Sequence, residues 1–193
     1  MILIIDYGSQ YTKNISRSLN DLKVDNKIII FDEINFDQEL EAKGIILSGG
    51  PDSAYKMKDD KKLYYPLLMN VPVLGICYGH QLLAEALGGR SGFNPNGREI
   101  GTIQVNLTES SQDDPLFGTL GSTLTVHASH RQVVLQPPLG ATILGSNSMD
   151  PHQVIRFGPR VWGVQFHPEY QSTFINPHPL FISFINATFL NLK

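Results

Sequence analysis

Short, wholly apolar runs recur through the first half of this chain, separated by stretches with helical spacing, and that alternation constrains the fold more than any other feature. Residues 1–5 form an apolar run rich in β-branched Ile, the pattern of a parallel strand buried on both faces. The run ends at Asp6-Tyr7-Gly8, where Ser9 is placed to cap a helix carrying Ile15, Leu19 and Leu22 on one face and Lys13, Arg17 and Asp21 elsewhere. Residues 27–31 and 44–47 read as a second and third strand, the latter opening into Ser48-Gly49-Gly50-Pro51-Asp52. A helix is expected over residues 61–69, a strand over 71–76, and a further helix over 80–87 closed by Gly88-Gly89. Strand and helix alternating at this spacing predict an α/β fold, an open, mostly parallel, doubly wound sheet with flanking helices.

The second half changes character. Residues 100–107, 123–128, 142–144, 153–157 and 161–166 are short β-rich runs broken by Gly, Pro and Asn, which predicts additional antiparallel strands extending the sheet. Residues 179–192 are apolar at helical spacing (Phe181, Phe184, Ile185, Phe189), a last helix whose start Pro177 and Pro179 delay. Nothing resembling a linker divides the 193 residues, so one domain over 1–193 is expected.

Composition excludes several classes. A net charge of −3 gives no electrostatic reason to expect nucleic acid or an anionic membrane surface. The first run meets Asp6 too soon for a signal peptide, and no apolar run approaches the ~20 residues needed to span a bilayer. One cysteine cannot form an internal disulfide, which suits a reducing cytoplasm.

That cysteine, Cys77, lies in Gly75-Ile76-Cys77-Tyr78-Gly79, between an expected strand and an expected helix. A Gly-x-nucleophile-x-Gly turn at such a junction is the elbow that lifts a reactive atom clear of a sheet, and the helix start favours thiolate over thiol. A nucleophile needs a base, and the base an orienting group. Of the six histidines, only His167 has a carboxylate two positions on, in Gln165-Phe166-His167-Pro168-Glu169. Pro168 disfavours helix at His167, and in an extended segment Glu169 would project to the same side as His167. The Gly49-Gly50 pair can turn backbone N–H groups towards a developing oxyanion. The same loop also resembles the Ser-Gly-Gly-x-Asp-Ser pyrophosphate loop of ATP pyrophosphatases. Pro51 removes one N–H, and the loop follows the third strand rather than the first; both weigh against phosphate. A zinc site at His127 and His130 finds no further ligand at suitable spacing, and no metal or cofactor is expected.

These elements, in this order, resemble the class I glutamine amidotransferases, whose Cys-His-Glu triad and Gly-Gly oxyanion loop sit on an α/β sheet. The residues that carry the resemblance to the GMP synthetase branch are Asp6-Tyr7-Gly8-Ser9-Gln10-Tyr11-Thr12, Ile45 to Pro51, Gly75 to Gln81, Arg98-Glu99-Ile100-Gly101, Ser129-His130 and Gly163 to Glu169. The resemblance implies Cys77 as nucleophile, His167 as acid/base and Glu169 as its orienter. It implies oxyanion N–H groups from Gly50 and Tyr78, and substrate contacts from Gly49, Gln81, Ser129 and His130. The implied reaction splits L-glutamine to glutamate and ammonia for a partner synthetase with an ATP-pyrophosphatase fold. The chain departs from the branch at Arg131-Gln132, where Gly-Asp is usual, and no pyrophosphatase stretch follows before Lys193. A stand-alone γ-glutamyl or amide hydrolase and a non-catalytic glutamine-binding regulatory module remain as alternatives.

Overall fold

The computed structural model describes residues 1–35, 41–57, 61–170 and 176–189, with the side chains of Lys61 and Leu63 left aside. Among these residues the dominant feature is a nine-stranded sheet in the order β2-β1-β3-β4-β11-β10-β9-β6-β7. Five strands run parallel: β2 (Asn26–Ile30), β1 (Ile2–Asp6), β3 (Gly44–Leu47), β4 (Val73–Ile76) and β11 (Val161–Val164). The other four, β10 (Val154–Gly158), β9 (Thr142–Ser146), β6 (Glu99–Leu107) and β7 (Thr123–His130), continue the sheet antiparallel. A separate two-stranded antiparallel sheet joins β5 (Arg90–Phe93) to β8 (Gln132–Gln136). The expected architecture is therefore present, with one correction: β11, expected among the antiparallel strands, inserts parallel beside β4 and is antiparallel only to β10. β5 and β8 are strands that the sequence pattern did not announce. β5 contains Ser and Gly, which weaken any strand signal, and β8 follows β7 after a single residue.

Residue alternation explains why helices cover both faces. Along β1, Ile2 and Ile4 join one apolar cluster and Leu3 and Ile5 the other, all fully buried. The first cluster takes Ile15 and Leu19 of α1 (Thr12–Asp21) and Phe181 and Phe184 of α4 (Pro179–Phe189); the second takes Leu82 and Leu83 of α3 (Tyr78–Ala86). At ~25 cal/mol per Å² of apolar area, these two layers supply the main drive to fold.

Local chemistry shifts several expected boundaries. Ser9 does not cap α1: its hydroxyl accepts from the Tyr11 N–H at 3.1 Å, and the cap position is Tyr11, without a side-chain bond. Asp6 instead ties the loop, accepting from Gly8 N–H at 2.9 Å and from the Thr12 hydroxyl at 2.7 Å. The helix expected over 61–69 is a 3₁₀ turn, Lys61–Tyr64, running into the short α2, Tyr65–Leu68, where Pro66 sits in the first turn and donates no N–H. α3 ends as expected: Gly88 adopts φ +88°, with Gly88 N–H bonded to Glu85 O and Gly89 N–H to Ala84 O, a Schellman cap. In α4, Phe181 and Phe184 are buried while Phe189 is exposed; residues 190–192 of the expected helix lie outside the described residues.

Candidate active site

The strand order reverses direction at β1, with β2 on one side and β3 on the other, and open α/β sheets place their sites at the carboxyl ends beside such a switch. The loops leaving β1, β3, β4 and β11 meet there. Their residues Gly8 to Tyr11, Gly50, Pro51, Cys77 and His167 line a cavity of about 270 Å³.

Cys77 stands between β4 and α3 with φ +52° and ψ −101°, a conformation that costs a residue with a Cβ on the order of 1–3 kcal/mol. The strain is held by backbone bonds on either side: Cys77 N–H to Val164 O at 2.8 Å and Gly79 N–H to Ser48 O at 3.1 Å. The flanking glycines serve close approach rather than a left-handed backbone. A Cβ at Gly75 would lie 2.6 Å from Gly79 O, and one at Gly79 would lie 2.5 Å from Leu47 O. The elbow thus packs β4, the turn and the end of β3 backbone to backbone.

His167 lies beside the thiol, and its Nδ1 is 2.7 Å from Glu169 Oε1, a fully enclosed pair. Segment 165–170 is not the extended continuation of β11 that Pro168 suggested. It bends at Gln165 and Phe166 and closes a turn in which Tyr170 N–H bonds His167 O at 3.2 Å. The turn brings Glu169 back onto the imidazole; strand alternation does not. Burial opposes a charge on His167, but the neighbouring Cys77 and Glu169 outweigh it and push its pKa up to about 11. With Nδ1 committed to the carboxylate, Nε2 is the ring nitrogen left to exchange a proton.

The loop after β3 faces this pair. Ser48 is fully buried; its hydroxyl accepts from Tyr7 N–H at 3.0 Å and donates to Gly49 O at 2.8 Å. A trans peptide sets C=O and N–H on opposite sides, so holding Gly49 O on Ser48 turns the Gly50 N–H away from Ser48. A Cβ at Gly50 would meet Tyr7 O at 2.9 Å and the Tyr78 ring at 3.0 Å. Tyr78 opens α3, so its N–H has no partner within the helix. Burial, then the Asp52 charge, push the Tyr78 phenol up to about 12, leaving it neutral.

A second cavity of about 390 Å³ shares Gly50, Cys77 and Ser129 with the first and is lined further by Tyr78, Gln81 and His130. Ser129 and His130 end β7, so the antiparallel half closes the site that the parallel half builds. His130 turns its ring inward: Nε2 is 2.9 Å from Glu99 Oε2, on the strand directly opposite. Glu99 also accepts from Asn147 and Gln153, each at 2.6 Å. Burial works against the Glu99 charge, but those three donors hold the carboxyl below its ordinary range. Gln81 is buried, with Nε2 bonded to Gln132 O at 2.8 Å and to Gln165 Oε1 at 3.1 Å. Gln165, fully buried, donates to Cys77 Sγ at 3.6 Å. Glu99 and Gln165 lie in segments that carry the family resemblance, but the sequence pointed to no role for either. Arg131 and Gln132, the departure from the family pattern, also face this cavity. Among the described residues, no three His, Cys, Asp or Glu side chains gather as a metal site, and no helix is long and apolar enough to cross a membrane.

A thiol beside an imidazole that is hydrogen-bonded to a carboxylate can carry acyl transfer through a thioester. Residues 3–187 match the glutamine amidotransferase class-I family. The chain belongs to that family. A GMP synthase (glutamine-hydrolyzing) of Aeropyrum pernix is 37% identical over 174 residues, covering 89% of this chain and 33% of that protein. One from Helicobacter pylori is 38% identical over 170 residues, covering 88% and 32% respectively. This amidotransferase chain thus spans about a third of the length of these relatives. Among solved structures, a protein from Thermoplasma acidophilum, described as a candidate subunit of GMP synthase, superposes with a TM-score of 0.82. It is 30% identical, over 96% of this chain and 92% of that one.

Proposed function

We propose that this chain is the glutamine-hydrolysing component of a GMP synthase-like enzyme, delivering ammonia to a synthetase partner of the ATP-pyrophosphatase type. The observation that carries the proposal is the meeting of Cys77, His167 and Glu169 at the ends of β4 and β11, facing the Gly49-Gly50 loop. Cys77 thiolate attacks the side-chain amide carbon of L-glutamine, and the Gly50 and Tyr78 N–H groups receive the oxyanion. His167, protonated beside the thiolate, gives its proton to the departing ammonia. The neutral imidazole then takes a proton from water, which opens the thioester to glutamate and restores the thiol. Glu169 keeps the ring in the required tautomer and orientation. Gln81, Ser129 and His130, which line the second cavity, hold the amino-acid end of the substrate together with Gly49 of the adjoining loop. The 193 residues act as one domain in the cytoplasm.

Arg131 and Gln132 at that cavity favour a second reading, a stand-alone hydrolase of γ-glutamyl amides. One experiment separates the two. Ammonia release from glutamine and from γ-glutamyl peptides is measured for wild type and Cys77→Ala, with and without a GMP synthase-type ATP pyrophosphatase. The amidotransferase reading expects slow hydrolysis alone, stimulation by the pyrophosphatase, and a loss on the order of 10⁴-fold or more in Cys77→Ala. Fast cleavage of γ-glutamyl peptides without a partner supports the hydrolase instead, and activity surviving in Cys77→Ala removes both.

A further inference from the structure

We infer that Gln165 is a further catalytic residue of this site, a fixed amide donor that holds the Cys77 sulfur and stabilises it as thiolate. The inference rests on Cys77 being the nucleophile. Gln165 is the first residue beyond β11, with no exposed surface, and its own N–H is pinned to Gln153 O at 2.9 Å. Its neighbours Val164 and Phe166 belong to the apolar core, where an aliphatic side chain would pack without any polar requirement. Instead a carboxamide sits beneath the nucleophile.

The orientation of that carboxamide is decided by what surrounds it. Gln81 Nε2 presents N–H groups to two oxygens, Gln132 O at 2.8 Å and Gln165 Oε1 at 3.1 Å. With its oxygen held by a donor, Gln165 must turn its NH₂ group the other way, and there Nε2 meets Cys77 Sγ at 3.6 Å. A buried amide N–H whose acceptor can ionise favours the ionised form. Gln81 therefore acts through Gln165 as a positioning residue. The arrangement complements His167 rather than duplicating it. The imidazole surrenders its proton when ammonia departs, whereas the carboxamide does not titrate and keeps its donor through both halves of the reaction.

Alkylation of the thiol by iodoacetamide tests this without glutamine or a partner, and Cys77 is the sole cysteine, so the reaction reads one sulfur. Gln165→Met keeps length and removes both polar atoms. Gln165→Glu keeps shape and the acceptor for Gln81, but turns an oxygen towards sulfur. The other titratable and charged groups around the thiol are Tyr11 from the β1 loop, His167 and its partner Glu169 beyond β11, Tyr78 on α3, Asp52 from the β3 loop, Arg98 before β6, and His130 and Arg131 at the end of β7; both variants leave them in place. At pH 6, Gln165→Met is expected to react about tenfold more slowly than wild type, the effect of displacing the reactivity profile by one pH unit. Its rate should rejoin wild type in alkaline solution, and Gln165→Glu should be slower still at pH 6. If Gln165→Met does not fold, Gln165→Glu carries the test. Alkylation profiles that superimpose on wild type overturn the inference, as does a fall in ammonia release with unchanged alkylation, which would mark Gln165 as packing alone. Ammonia release surviving in Cys77→Ala would instead overturn the reading of the nucleophile.

Discussion

The parallel and antiparallel halves of the sheet present the site by different means. β1, β3, β4 and β11 contribute backbone and loop geometry: a strained elbow, a clamped Gly-Gly peptide and a turn that folds Glu169 onto His167. Their own side chains are almost wholly apolar and buried. β6, β7 and the loops before β10 contribute a buried polar network instead, in which Glu99 gathers donors from His130, Asn147 and Gln153. Rigid apolar strands can hold reacting atoms to within fractions of an ångström, which chemistry requires. A network of hydrogen bonds can shape a pocket and set its charge. The parallel half should therefore govern turnover and the antiparallel half substrate affinity.

Beyond loss of the nucleophile itself, the larger effect expected tests the parallel half. Glu169→Gln keeps the shape of the side chain but replaces the acceptor that fixes the His167 tautomer. kcat should fall on the order of 10³-fold with KM little changed, measured as ammonia release at saturating glutamine. A loss confined to KM would break the proposed division. Next in size is Glu99→Gln, which removes the charge that His130, Asn147 and Gln153 converge on. KM for glutamine should rise about tenfold while kcat stays within about threefold, because one charge-assisted bond to a positioning residue is worth roughly 1.5–3 kcal/mol. A collapse of kcat with unchanged KM would show that the antiparallel network reaches the chemistry directly.

The same division governs what could be read from the amino-acid order. β1, β3 and β4 were legible because both faces are buried, so Met1 to Ile5 and Ile45 to Leu47 carry unbroken apolar runs. β2 was legible despite its exposed edge position, from Ile28 to Ile30 alone. The direction of β11 was not, because it lies among antiparallel runs in sequence but inserts beside β4. The elbow and His167-x-Glu169 were legible because their partners are near in sequence or bounded by glycines. Gln165 and Glu99 were not. Gln165 reaches Gln81 across 84 positions, and Glu99 reaches Gln153 across 54. A polar residue at the end of a short strand reads as solvent-facing until topology supplies a distant donor. Even where the pairing was foreseen, the cause differed: His167 and Glu169 meet through a turn, and Gly75 and Gly79 are needed for contact rather than for φ.

The last effect is on stability rather than turnover, and it concerns the joint between the halves. His80 on α3 is fully buried, and its Nε2 is 3.0 Å from the carbonyl oxygen of His152, which precedes β10. Its other flank is closed by Gly163 of β11, where a Cβ would collide with the imidazole. Burial is the main influence and lowers its pKa to about 3. Between pH 6.5 and 3 the unfolded chain therefore binds a proton at this position that the folded chain refuses. Stability is fully present above pH 6.5 and declines as the pH falls, by about 2 kcal/mol at pH 5 for this one residue. His178, lowered to about 4 by burial, adds to the decline, while Asp150, raised to about 6 chiefly by burial, opposes it. The difference between wild type and His80→Gln isolates the contribution, since the other groups are common to both. Urea unfolding at pH 7 and pH 5 should show His80→Gln losing about 2 kcal/mol less than wild type across that interval. Parallel losses in the two proteins would mean that His80 takes up its proton in place, and that the seam between the halves opens to water before either half unfolds.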